Sequence, residues 1–161
     1  MRASALTAVL AVLLASCSGA VDPQEPASTP EGFRGLDQLY DAPPPPDLNL
    51  SKVVAGEKLY AQHCAACHMP DRSGDPNWKT PNDDGLFPPP PHDVTGHTWH
   101  HSDDLLLEIV TKGLDGVPSG MPRFKGVLTD DDILSILEFF KSGWRDEERA
   151  FQWQVTWQGR Q

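Results

Sequence analysis

Apolar positions in this chain fall into one short continuous run and three stripes of helical period, with proline-rich polar stretches between them. The continuous run covers residues 6–15. It is too short to span a bilayer and has the length of a signal-peptide core. The first stripe follows Ser51, a residue type suited to an N-cap, and places Val53, Val54, Leu59 and Tyr60 on one face up to His63. The second follows Ser102. Asp103 and Asp104 suit the positive end of a helix there, Leu105, Leu106, Ile109 and Val110 form the apolar side, and Gly113 ends it. The third opens at Thr129 with Asp130, Asp131 and Asp132 in its first turn, carries Ile133, Ile136, Leu137 and Phe140 at helical spacing, and stops at Gly143. These stripes predict an all-α domain over residues 51–146.

What lies between and around the stripes is proline-rich or polar. Residues 17–50 include Pro23, Pro26, Pro30 and the run Pro43-Pro44-Pro45-Pro46, with few large apolar residues. Such a segment cannot bury enough surface to order itself, and reads as a tether spanning about 30 Å as a coil. Residues 69–101 hold Pro70, Pro76, Pro81 and Pro88 to Pro91, too many for regular elements. A loop of this length inside a compact domain needs something to wrap around. Residues 147–161 read as a polar tail with Trp153 and Trp157, and the pattern assigns it no role.

Charge narrows the function. A net charge of −10 offers nothing to neutralise phosphates along a groove, which argues against nucleic acid and favours basic or mixed-charge partners. Arg2 precedes the apolar run, which closes on Leu14-Ala15-Ser16-Cys17. That ending resembles a bacterial lipobox, implying a signal peptide over residues 1–16 and lipidation of Cys17. The plainer alternative is a secretory signal with an incidental cysteine. Cleavage before Cys17 removes Arg2 and no acid, taking the net charge to −11.

The strongest chemical signal is Cys64-Ala65-Ala66-Cys67-His68. On a helical turn this spacing sets both thiols toward one edge of a porphyrin, with His68 beneath its iron, and the pattern is a haem-attachment signature. Zinc would need two further ligands, and no second cysteine pair exists. A thiol redox pair of the thioredoxin kind would need a preceding strand, where the pattern is helical. With Cys17 lipidated and Cys64 and Cys67 bound to haem, none of the 3 cysteines stays free. For the second axial position, Met1 leaves with the signal and Met69 adjoins His68. Met121, in Ser119-Gly120-Met121-Pro122, is the expected ligand, and a His/Met pair suits electron transfer by raising the potential.

Residues 52–145 resemble a single-domain class I cytochrome c of the bacterial exported type. The matching features are Gly56 and Tyr60 ahead of the Cys64–His68 motif, Gly120-Met121-Pro122, and Phe139 and Trp144 in the last helix. The resemblance implies three main helices and long loops wrapped around one covalent haem, with first and last helices crossing at Gly56, Tyr60 and Phe139. The long 69–101 loop and the tail depart from that pattern.

The segment from Pro91 to His101 carries His92, His97, His100 and His101. Here the expectation is that Trp99 packs on the haem while one or two histidines bond a propionate or backbone. A copper or zinc site, or a histidine replacing Met121 on the iron, are the alternatives. The function expected is a membrane-tethered, extracytoplasmic one-electron carrier, not an enzyme, with a quinol-oxidising complex or terminal oxidase as redox partner. A haem enzyme or sensor with a labile sixth ligand, and a metal-handling protein using the histidine loop, are the competing readings.

Overall fold

The computed structural model describes residues 42–114 and 116–161. The signal peptide, Cys17 and most of the tether lie outside the described residues. Among the described residues five α-helices follow in order: α1 (Leu50–His63), α2 (Ala65–His68), α3 (Asp103–Lys112), α4 (Asp130–Lys141) and α5 (Asp146–Gln158), with a 3-10 turn at Thr98–His100. Among the described residues there is no extended strand. No helix there is long and apolar enough to cross a membrane.

Local chemistry explains where the helices begin and end. The α1 cap is Asn49 rather than Ser51: the Asn49 side chain accepts from the Lys52 N–H, and the Ser51 hydroxyl donates to that same oxygen at 2.6 Å. Ser102 caps α3 by accepting from the Leu105 N–H, and Gly113 closes it at a φ of 86°. Thr129 and Asp132 form a reciprocal capping box at the head of α4.

The core sits where α1 crosses α4. Ile133, Ile136, Leu137 and Phe140 from α4 are buried against Tyr60 of α1, with Leu106, Phe124, Leu128 and Trp144 completing the cluster. Each such aliphatic side chain contributes about 1.5–3 kcal/mol by leaving water. The expected crossing at Gly56 and the aromatics is observed. Gly56 lies on the Ser135 backbone, and Tyr60 meets Phe139 and Phe140 at ring-centroid distances of 5.4 and 5.7 Å. Trp144 falls just beyond α4 rather than inside it, held by its indole N–H donating to the His92 carbonyl at 2.9 Å.

Two sequence expectations are corrected. The polar tail is a helix, α5. Its buried face is itself polar: Glu148, Gln152 and Thr156 recur every fourth residue and all are buried. Gln152 donates to Asp103 at 2.8 Å and to the His101 carbonyl at 3.2 Å, while Thr156 accepts from the Asp103 N–H. Lys141 of α4 pairs with the other Asp103 oxygen at 2.8 Å. A helix that buries hydrogen-bonded polar groups shows no apolar stripe, so periodicity misses it. The second correction concerns the tether. Residues 42–49 lie against the domain, held by α5 and by Glu138 of α4.

The proline-rich loop 69–101 is fastened at intervals. His92 N–H donates to the Arg72 carbonyl, Asp75 N–H to that of Pro89, and Phe87 N–H to that of Pro118. Arg72 donates to the Phe139 carbonyl at 2.7 Å with its guanidinium 4.5 Å from the Phe139 ring centre, tying the loop to the end of α4. The loop thereby forms one wall of a cavity.

Candidate functional site

That cavity has a volume of about 530 Å³ and a mostly apolar lining. Cys64, Cys67 and His68 enter from the α1–α2 corner, Met121 from the α3–α4 connection, and Pro88, Pro89 and Pro90 from the loop. Leu106, Phe124, Leu137 and Phe140 close it from the core. The four sequence-predicted ligand residues are thus brought to one chamber, although 53 positions separate His68 from Met121. Serine and methionine are set locally: the Met121 N–H donates to the Ser119 hydroxyl at 3.1 Å.

His68 is held in a defined state. Its Nδ1 lies 2.8 Å from the Pro90 carbonyl oxygen. A carbonyl only accepts, so Nδ1 carries the proton and Nε2 keeps the lone pair that a metal needs. Burial pushes the His68 pKa below the ordinary imidazole value, against an opposing pull from the Pro90 bond. Burial is the larger effect, and the net downward shift favours the neutral imidazole. Tyr60 supports the next two residues, its hydroxyl within 2.7 Å of the Met69 carbonyl and 3.1 Å of that of His68. Cys64 and Cys67 form no disulfide, and burial, then the neighbouring Cys67, push the Cys64 thiol up to about 11.

The histidine segment separates into distinct environments. His92 stacks on His68 at 4.2 Å and on Phe140 at 4.3 Å, and its Nδ1 is 2.8 Å from the Thr98 hydroxyl. Burial, more than its charged neighbours, holds its pKa well below the usual range. His97 stacks on Trp78 at 4.8 Å and meets His101 edge-on at 5.2 Å. His100 packs on Trp99. Among the described residues no group of three or more His, Cys, Asp or Glu side chains is arranged to hold a metal ion. Trp99 does not take the place expected of it. It turns to Phe151 of α5 at 5.5 Å, and His97, Thr98 and His101 line the cavity instead. In a 3-10 turn, consecutive side chains diverge by a third of a turn, so Thr98 and Trp99 cannot face the same way.

Sequence reasoning missed the Pro90 carbonyl, the Tyr60 hydroxyl contacts and the ring of His92 behind His68. A backbone carbonyl has no side-chain signature. The proline run does signal a rigid backbone, the property that keeps such an acceptor in place.

The donor set is one thioether-forming pair, one imidazole and one thioether sulfur around an apolar chamber, which fits a covalently bound haem. The pattern of the family described as cytochrome c oxidase, cbb3-type, subunit III matches residues 51–140. The chain belongs to that family. It is a class I-like cytochrome c with the all-α fold expected of one. This cytochrome c is similar to the FixP subunit of the cbb3-type cytochrome c oxidase of Bradyrhizobium sp. (strain ORS 278), at 29% identity over 92 residues, covering 56% of this chain and 27% of the relative. It is also similar to the cytochrome c subunit of a quinone alcohol dehydrogenase of Gluconobacter oxydans (strain 621H), at 30% identity over 99 residues, covering 56% of this chain and 18% of that protein. The chain matches less than a third of the length of either relative. No solved structure matches. The family makes this an electron-transfer cytochrome that holds haem c.

Proposed function

We propose that the protein is a membrane-tethered, extracytoplasmic one-electron carrier with a single haem, and not itself an enzyme. Cys64 and Cys67 would form the thioether bonds, and His68 and Met121 would ligate the iron. When bound, the haem supplies a one-electron iron couple. The residues around it fix its ligands and exclude water: Pro90 orients His68, Ser119 orients the Met121 backbone, and Phe124, Leu137 and Phe140 keep the chamber dry. A low-dielectric chamber and a methionine ligand both favour the reduced, less charged iron, and so a raised potential.

The observation that carries this reading is the convergence of Cys64, Cys67, His68 and Met121 on one cavity, with the proton of His68 committed to Pro90. Iron ligated by both His68 and Met121 leaves no position for substrate, which is why a carrier fits better than a haem enzyme or sensor. The lipobox-like ending at Cys17 supports a lipid anchor, and the apolar run before it supports export. One relative is a subunit of a terminal oxidase and another a subunit of a quinone dehydrogenase, which supports a quinol-oxidising complex or a terminal oxidase as redox partner.

Spectroscopy of the purified ferric protein tests the ligand set. A methionine-to-iron charge-transfer band is expected, and Met121→Ala should abolish it and turn the iron high-spin and open to added ligands. High-spin, ligand-accessible iron in the wild type would overturn the carrier reading and restore the enzyme or sensor.

A further inference from the structure

Two sequence features have no part in haem binding, the proline run at residues 43–46 and the tryptophans of the C-terminal segment. The fold brings them together. The Trp153 indole N–H donates to the Pro43 carbonyl at 2.7 Å. The Arg149 guanidinium donates to the Pro46 carbonyl at 3.1 Å. The Ala42 N–H, just before the run, donates to the Gln154 side-chain oxygen at 2.9 Å. Trp157 lies beside Trp153 at a ring-centre distance of 6.1 Å, extending the aromatic surface by one turn.

The chemistry on the two sides is complementary. Prolines have no N–H, so a proline run presents only carbonyl acceptors, and its polyproline conformation leaves them without internal partners. Indole and guanidinium are donors with no acceptor. Arg149 and Trp153 stand four residues apart on one face of α5, matched to carbonyls three residues apart on an extended segment. The stiff run loses little entropy on docking, as in proline recognition by aromatic grooves.

We propose that this face of α5 is a polyproline-reading surface whose occupant is the chain's own Pro43–Pro46 segment, and that it makes α5 the face by which the domain is held. Residues 42–46 lie on α5 before the chain reaches the start of α1. Neither α5 nor residues 42–49 contribute to the lining of the haem cavity. A pull transmitted through residues 42–49 therefore acts on α5 rather than on a residue that lines the cavity. The clamp stands without the lipid anchor. Its orienting consequence rests on the anchor proposed above.

Two measurements on the full-length holoprotein separate these. In solution, hydrogen exchange is followed at the Trp153 indole and at the Ala42 amide, both bonded across the clamp. The wild type should protect both. Replacing Pro43 to Pro46 with Gly and Ser, or combining Trp153→Phe with Arg149→Leu, should speed exchange at Ala42 at least tenfold with an unchanged haem spectrum. Trp157→Phe should leave it nearly as slow. An indole that exchanges like a free one in the wild type, or variants without effect, would overturn the clamp. On lipid vesicles, carboxyl labelling compares Asp146 and Glu147 of α5 with Asp83 and Asp84 of the loop. Protection of the α5 pair alone, lost in the proline variant, supports the orienting role, and equal labelling of both pairs in the wild type overturns it. Failure to bind vesicles at all would refute the lipid anchor and leave the solution result standing.

Discussion

Gly56 lies where α1 and α4 approach so closely that a β-carbon built on it would stand 1.9 Å from the Ser135 carbonyl oxygen. The obstacle is backbone, which cannot rotate away as a side-chain tip can. Gly56→Ala must push the two helices apart, and with them the wall that carries Tyr60 and Phe140. Overpacking of this kind costs about 3 kcal/mol or more when no void absorbs it. A chemical denaturation midpoint lowered to match is the expected result. An unchanged midpoint would mean that the helices slide past one another at little cost. The family resemblance already placed Gly56 at the helix crossing, and the structure adds the approach of the Ser135 backbone that leaves no room for a side chain there.

Helix α5 shows how an element can hide its role. Its first-turn acids Asp146, Glu147 and Glu148 are a familiar opening, yet the stripe at Glu148, Gln152 and Thr156 is polar and buried. Glu148 accepts from both the Arg145 N–H and its guanidinium, and these bonds hold its pKa below the ordinary value of 4.5. Asp104, paired with Arg160 beyond α5, is lowered for the same reason. The native state therefore binds these protons less readily than the unfolded chain. Their stabilisation is fully present above about 4.5 and is lost as pH falls through the lower folded values. Stability measured from pH 6 down to pH 3 should decline, and Glu148→Gln combined with Asp104→Asn should make the decline shallower. A decline equally steep in the double variant would place the acid sensitivity elsewhere, at the Asp132 capping box first of all.

For the molecule as a whole, the acidity is partly structural. Asp103 and Asp104, Asp130 to Asp132, and Asp146 to Glu148 fill the first turns of α3, α4 and α5, where the helix dipole favours them. The chain still carries a net charge of −10. Reduction by a basic redox protein should slow several-fold as ionic strength rises from 0.01 to 0.1 M, because the screening length falls from about 30 to about 10 Å. Stopped-flow rates that stay flat across that range would show that charge does not guide encounter. Attachment is also a property of the whole chain. Cys17→Ser should move the protein from the membrane fraction to the soluble one, and retention in the membrane would refute lipidation.

The haem motif, the three apolar helices and the caps of α3 and α4 were legible in the sequence because each rests on residues close together along the chain, while the cap of α1 fell two residues earlier than expected, at Asn49. Cys64, Cys67 and His68 are neighbours, a capping side chain reaches three residues on, and an apolar stripe repeats every turn. Met121 could be singled out as the expected second ligand because the other methionines were barred by position, and the fold brings it to the same cavity as His68. Tertiary structure alone decided what depends on distant segments. It joined Pro90 to His68, stacked His92 on the same imidazole, and turned Trp99 from the cavity to α5. It also made a helix of a segment with no apolar stripe, since the partners of its buried polar groups lie in α3 and α4. Hydrophobic burial leaves a period in the sequence, whereas a hydrogen bond between remote residues leaves none until the chain has folded.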